Sequence, residues 1–454
     1  MMKIDFKNEV LKRKEEFLKD LKTLISINSE LTTYDPKRIG APFGKGNQEV
    51  LETMLNIAKK DGFKVLNVDG FAGHIEHGNQ KDFVAILGHL DVVPAGSDWT
   101  YPPYDLTIVD GKLYGRGVED DKGPTLAAYY AMKILKELKV PLSKRVKLIV
   151  GVDEESGSRC MRHYLKKHPE VAVSGFVPDA DFPLIYAEKG IVRIDISGYF
   201  KDELILSADA GLRANMVPDS IKVLLKGDLV DQIKSVDKNL LPTLENGNTI
   251  LRVSGKSAHG STPELGENAV FNLVKIIKKL GLNSPLVEML DKFFVDDTKG
   301  VKLGVNRTCP ETGDLSLNLG ILKYDGNDLL ITLDIRYPKG ITFEEIVVRI
   351  NRKVEVYKVS VSRSTNSDML YVSPDSKLVK TLMNSYIKHT GDNNAKPVVI
   401  GGGTYARSMP NVVAFGPHFP GRPSFIHQRD EYVLVDDLLT ATIIYLEALY
   451  ELAK

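Results

Sequence analysis

Residues 83–152 alternate two kinds of segment, and that alternation constrains the fold more than any other feature of the chain. "FVAIL" (83–87) has no polar alternation, as expected of a strand covered on both faces. "PTLAAYYAMKILKEL" (124–138) reads as a helix with Pro124 near its first turn, and "RVKLIVGV" (145–152) as the next strand. Strand, crossover helix and strand make a βαβ unit. The expectation is an α/β domain built on a mostly parallel central sheet. Two helices are expected ahead of it. The opening segment "MMKIDFKNEVLKRKEEFLKDLKTLISI" is amphipathic through Val10, Phe17, Leu21, Leu24 and Ile25. "GNQEVLETMLNIAKKDGF" buries Leu51, Met54, Leu55 and Ala58 and stops at Gly62.

The style changes near Glu188. "GIVRIDISGYF" and "SIKVLLKG" alternate apolar and polar residues, which predicts strands with one wet face. "NAVFNLVKIIKKLG" (268–281) and "FEEIVVRINRKV" read as helices. "SLNLGILKYDGNDLLITLDIRYP" (316–338) reads as a hairpin turning at "DGND". Helix–strand alternation returns with "SKLVKTLMNSYIKHTG", "KPVVIGGG" and the closing helix "DDLLTATIIYLEALYELA". A chain of 454 residues is long for one core. The expected organisation is an α/β domain in two parts, 1–188 and 375–454. An α+β insert at 189–374 interrupts it, as one large domain or two α+β halves.

Charge narrows the function classes. Lys+Arg and Asp+Glu both number 60, so no net basic field exists to hold nucleic acid or an anionic membrane. The two cysteines, Cys160 and Cys309, make no disulfide framework and fit a reducing compartment. No run approaches the roughly 18 apolar residues of a membrane span, and the N-terminus lacks a signal-like apolar core, so a cytoplasmic location is expected.

Five polar clusters sit at or just after segments read as strands in the α/β parts: His89/Asp91, Asp120/Asp121, Asp153/Glu154/Glu155, Asp179 and His427. Ligands bind at the carboxyl ends of strands in open α/β sheets. Singly, each cluster has a plain explanation as a loop histidine, a helix cap or a solvated acid. Glycines beside the acids in "GHLDVVP", "GRGVEDDKGP" and "GVDEESGS" argue for tight, shaped loops instead. Histidine with carboxylates and no thiolate suits Zn²⁺, Mn²⁺ or Co²⁺.

At these residues the chain resembles the M20 metallopeptidases, the group of co-catalytic di-metal aminoacylases and carboxypeptidases, and within it the PepV-type bacterial dipeptidases. The matching motifs, in order, are "GHLDVVPAG", "GRGVEDDKGPTLAAYYA", "DEESGS", "PDADFPLIYAEKG", "GKSAHGSTPELGENA", "DIRYP", "GGGTYAR" and "HQRDEYV". The resemblance implies a phosphorylase/hydrolase-like catalytic domain holding two divalent ions per chain, Zn²⁺ first, with Mn²⁺ or Co²⁺ as alternatives. It implies His89 and Asp179 as ligands of one ion, Glu155 and His427 of the other, and Asp120 between them. Glu154 would be the general base, and Asp91 the carboxylate that aims the His89 imidazole. In the insert, His259 would stabilise the oxyanion, Asn215 would bind substrate and Arg336 would bind its free carboxylate, with Gly402, Gly403 and Arg407 of the second catalytic part contributing to the same carboxylate. The insert would act as a lid, and its length implies a monomer.

The implied activity is hydrolysis of unprotected dipeptides. The alternatives are an amidohydrolase of the succinyl-diaminopimelate desuccinylase or aminoacylase kind, and a non-catalytic peptide-binding relative. One departure from the pattern stands out: Glu119 occupies the place of an expected leucine before the Asp120–Asp121 pair.

Overall fold

The computed structural model describes residues 4–454, which divide into two compact units. The first comprises residues up to Ala187, Leu370–Val398 and Gly403–Lys454; the second comprises Glu188–Met369 and Val399–Gly402.

The first unit is built on a mixed sheet. Its strands run in the order Lys64–Val68, Ala72–His77, Arg145–Gly151, Phe83–His89, Ser174–Val177, Val412–Ala414, Ile185–Glu188 and Leu370–Tyr371. The four central strands, from Arg145–Gly151 to Val412–Ala414, are mutually parallel. Antiparallel strands flank them, so the expected parallel sheet is its core and not its whole width. The flanking pair Lys64–Val68 and Ala72–His77 escaped the sequence reading because "KVLNV" buries only its last residue. Every residue of Phe83–His89 is buried, as the unbroken apolar run predicts. Helix Lys122–Glu137 packs on that strand and on the closing helix Val435–Ala453.

The opening segment forms two helices, Phe6–Leu11 and Lys14–Ile25, instead of one; its first three residues lie outside the described residues. The break falls at Lys12–Arg13. There the Arg13 guanidinium donates to the Glu9 carbonyl at 2.6 Å, taking the acceptor that a continuing helix would use. Helix Lys45–Lys60 ends as expected, with Gly62 at φ 75°.

The second unit is one antiparallel eight-stranded sheet. Its order is Thr243–Glu245, Asn248–Ser254, Ser220–Leu225, Ile205–Ala210, Ser316–Tyr324, Asp328–Tyr337, Gly190–Tyr199 and Ser360–Ser367. The hairpin expected at 316–338 is its centre. One buried apolar cluster runs from Val192 to Val359 and takes in helices Ala269–Lys279, Pro285–Phe293 and Phe343–Val354. The insert therefore has a continuous sheet over a shared core. Helix Phe343–Val354 starts at a capping box in which Thr342 and Glu345 satisfy each other's amides.

Candidate metal and peptidase site

The parallel strands of the first unit deliver their polar residues to one end. His89 closes strand Phe83–His89, Glu154 and Glu155 follow Arg145–Gly151, and Asp179 follows Ser174–Val177. Asp120 stands two residues before helix Lys122–Glu137, and the Asp120–Asp121 peptide is cis. His427 lies in the loop after Pro417–His418, with φ 63°.

These residues meet. Asp120 turns its two oxygens to different imidazoles: Oδ1 is 3.0 Å from His89 Nε2, and Oδ2 is 2.9 Å from His427 Nε2. His427 Nε2 is also 3.1 Å from Glu155 Oε1, and His89 Nε2 is 3.6 Å from Asp179 Oδ2. Donor atoms of His89, Asp120 and Glu155 all lie within 4.8 Å of one another. His89 Nε2 is buried and makes no hydrogen bond of proper geometry. A buried, unsatisfied ring nitrogen facing carboxylates fits a divalent cation, and so does the His/Asp/Glu donor set.

Electrostatics agree. Burial pushes the carboxyls of Glu154, Glu155 and Asp179 above their ordinary range, and neighbouring negative charges add to it. Hydrogen bonding to the Asp120 and Glu155 carboxylates, which accept from it, lifts the His427 imidazole to about 10. Around His89, Asp120, Asp179 and Asp91 outweigh the lowering effect of burial. The cluster holds excess negative charge, which a divalent cation would relieve.

Asp91 has two sets of partners. The His89 Nδ1 lies 3.0 Å from the Asp91 backbone carbonyl and 3.5 Å from its carboxylate. The carboxylate also accepts the amides of Glu154 at 3.0 Å and Glu155 at 3.1 Å. Asp91 thus faces the imidazole with both carbonyl and carboxylate and anchors the loop carrying both glutamates. The Leu90 amide donates to the Gly151 carbonyl at 3.0 Å, a bond of the parallel ladder that pairs His89 with Gly151, so pairing holds the backbone on both sides of the imidazole.

Gly88 has a steric reason. A Cβ there would meet Thr125 Oγ1 at 2.0 Å, so only glycine lets helix Lys122–Glu137 sit against the strand end. Thr125 Oγ1 donates to Asp121 Oδ2 at 2.7 Å, and the same oxygen accepts the His89 amide at 3.1 Å. Glu119, the departure from the family pattern, is buried and pairs with His418 Nδ1 at 2.6 Å. Tyr405 of "GGGTYAR" is buried with its hydroxyl 2.8 Å from Cys160 Sγ. In the same motif a Cβ on Gly403 would lie 2.5 Å from Arg407 Nε, so that glycine makes room for the arginine.

The second unit gathers its own set. The amide of Gly260 donates to the Asn215 carbonyl at 2.8 Å, and Met216 bridges His259. Asn318, which the sequence reading missed, donates to the carbonyls of Ala214 and Met216 at 2.8 and 2.9 Å and so clamps the Asn215 loop. His259 Nδ1 accepts the Ser261 amide at 3.2 Å, which puts the proton of a neutral ring on Nε2. Partial burial and the Arg336 charge lower the His259 pKa, favouring that neutral form. Arg336 gives Nε and Nη2 to the fully buried Asp334 at 2.6 and 3.1 Å, and Nη1 to the Gly401 carbonyl at 2.8 Å. Gly402 sits beside Gly401 in this unit.

Residues 85–451 match the profile of Peptidase family M20/M25/M40. The chain belongs to this peptidase family. It is 42% identical over 466 residues to the Bacillus subtilis (strain 168) protein named "Putative dipeptidase YtjP", covering 98% of this chain and 99% of that one. It is 38% identical over 467 residues to a Staphylococcus epidermidis protein named "Putative dipeptidase", again covering 98% and 99%. Among solved structures, human carnosine dipeptidase 1 aligns with a TM-score of 0.57 at 17% identity over 98% of both chains. An M20 family metallo-carboxypeptidase, Sso-CP2 from Sulfolobus solfataricus, aligns with a TM-score of 0.58 at 18% identity over 96% of this chain and 98% of that one. At those identities the likeness is one of fold. Membership of M20 makes the chain a peptide hydrolase of a metal-using family. No described helix is long and apolar enough to cross a membrane.

Proposed function

We propose that this M20 protein hydrolyses the peptide bond of unprotected dipeptides using two divalent ions. The observation that carries the reading is Asp120, whose two oxygens face the His89 and His427 imidazoles at 3.0 and 2.9 Å. In this reading His89, Asp120 and Asp179 hold one ion, and Asp120, Glu155 and His427 the other. When bound, the ion pair lowers the pKa of a water and polarises the scissile carbonyl. Glu154 removes a proton from the attacking water and returns it to the leaving amine. Burial raises its proton affinity, which suits a carboxylate that must accept that proton.

His259, with Nε2–H as donor, is assigned to the oxyanion. Arg336 is assigned to the free carboxylate, with Gly402, Gly403 and Arg407 as further contributors, and Asn215 to substrate binding. Asp334 and Gly401 take three of the five guanidinium N–H groups of Arg336, which fixes the plane that such a carboxylate would meet. The relatives named as dipeptidases support the substrate class.

The deciding experiment strips the protein of metal and assays dipeptides and N-acylated amino acids with Zn²⁺, Mn²⁺ or Co²⁺ added back. Turnover of dipeptides that returns with metal is expected. Turnover of acylated amino acids alone would move the protein to the amidohydrolase reading.

A further inference from the structure

Glu431 is fully buried in the first unit, four residues beyond His427, in a motif whose histidine alone the sequence reading used. A buried carboxylate is costly unless donors surround it. Glu431 has four. Its Oε1 accepts the amides of Gly117 at 3.1 Å, Glu119 at 2.9 Å and Asp120 at 3.3 Å, and its Oε2 accepts Arg116 Nη1 at 2.6 Å. Its backbone carbonyl takes a fifth donor, the Gly115 amide, at 3.1 Å. The loop 115–121 is neither helix nor strand, and Gly117 within it has φ 91°. Three of its amides, those of Gly117, Glu119 and Asp120, therefore pair with a side chain from the His427 segment, while those of Arg116 and Val118 donate to the carbonyls of Pro103 and Gly115.

We propose that Glu431 is a positioning residue for the metal pair, holding the Asp120 loop in register with His427. One carboxylate group collects the amide of Asp120 and shares a short segment with His427. The separation of Asp120 Oδ2 and His427 Nε2 is thus set by Glu431 before any ion arrives. The proposal rests on the di-metal reading above, and it assigns Glu431 no contact with substrate or ion.

The test uses metal-stripped full-length protein titrated with Co²⁺, read by chelator competition and by the visible d–d absorption. Glu431→Gln keeps one oxygen for the loop amides but turns an NH₂ toward Arg116. Co²⁺ affinity is expected to fall about 10–100-fold, with a changed d–d band and unchanged far-UV circular dichroism. In the reloaded variant kcat should drop while KM stays put. Asp430→Ala is the control: its carboxylate binds the Thr100 amide and hydroxyl at 2.7 and 3.0 Å, and wild-type Co²⁺ affinity is expected. A second measurement needs no variant. In stripped wild-type protein, hydrogen exchange over 115–121 should already be slow. A folded Glu431→Gln variant with wild-type affinity and band overturns the proposal alone, as does a loop protected only after metal is added. A wild-type protein that binds no Co²⁺ overturns the di-metal reading together with it.

Discussion

At the scale of single residues, the site is organised by carboxylates that bind backbone amides as much as by those assigned to the ions. Asp91 holds the amides of Glu154 and Glu155, Asp121 holds that of His89, and Glu431 holds those of the Asp120 loop. This separates variants that look alike in sequence. Glu154→Gln should lower kcat by about 10²–10⁴-fold with Co²⁺ binding intact. Glu155→Gln should weaken Co²⁺ binding itself. Asp91→Asn should do both, since an amide cannot accept at both of its former oxygens; a loss of about 10–100-fold in kcat, with reduced Co²⁺ affinity, is expected. Chelator competition and steady-state kinetics on the three variants distinguish them. The side chains that cluster around Asp120 were legible as candidates in "GHLD", "DDKGP" and "DEESGS" because histidine, acids and glycine adjoin there. Glu431 was not, because an acid in a polar loop reads as solvated until the amides it meets are known.

Among the elements, helices Lys377–Thr390 and Val435–Ala453 pack together and are joined by a charged contact. Glu447 accepts from both His389 and Lys388 and is nearly buried. Burial alone would raise its carboxyl, but the two hydrogen bonds outweigh it and hold the pKa below 4.5. A carboxyl depressed on folding stabilises above its unfolded pKa, and the contribution disappears as pH falls through the folded value. Acid titration below pH 4.5 should therefore cost wild-type stability that Glu447→Gln has already lost. The variant should be about 1–2 kcal/mol less stable at pH 7 and less acid-sensitive, as read by urea melts at pH 7 and below pH 4.5. Both helices were plain from their periodicity, and Gly391 at φ 75° ends the first as glycine-capped helices do. The contact between them was not plain, since 58 residues separate His389 from Glu447.

For the whole molecule, every residue assigned to the ions belongs to the first unit. Ligand binding to the native state alone stabilises by mass action, so metal should raise the melting temperature of stripped protein in a concentration-dependent way. About 3–4 kcal/mol is expected at 100–1,000 times Kd. Calorimetry at increasing Co²⁺ tests this, and a melting temperature indifferent to metal would contradict the assigned site. The resemblance to M20 peptidases ran through motifs from residue 88 to 433, and the family profile spans 85–451. The breadth of that match is why the family was readable from sequence.

What the sequence determined by itself is what short range controls. Unbroken apolar runs such as 83–87 make covered parallel strands, and glycine beside histidine and acid marks strand ends that turn sharply. The ordered motifs then specify a peptidase family. Tertiary structure alone decided which partner each polar group takes. Glu431 reaches the amide of Asp120 across 311 residues, and Asp91 reaches that of Glu154 across 63. The reason is that a hydrogen bond depends on where two chain segments come to lie, whereas the pattern of apolar residues specifies only which face of each segment is buried.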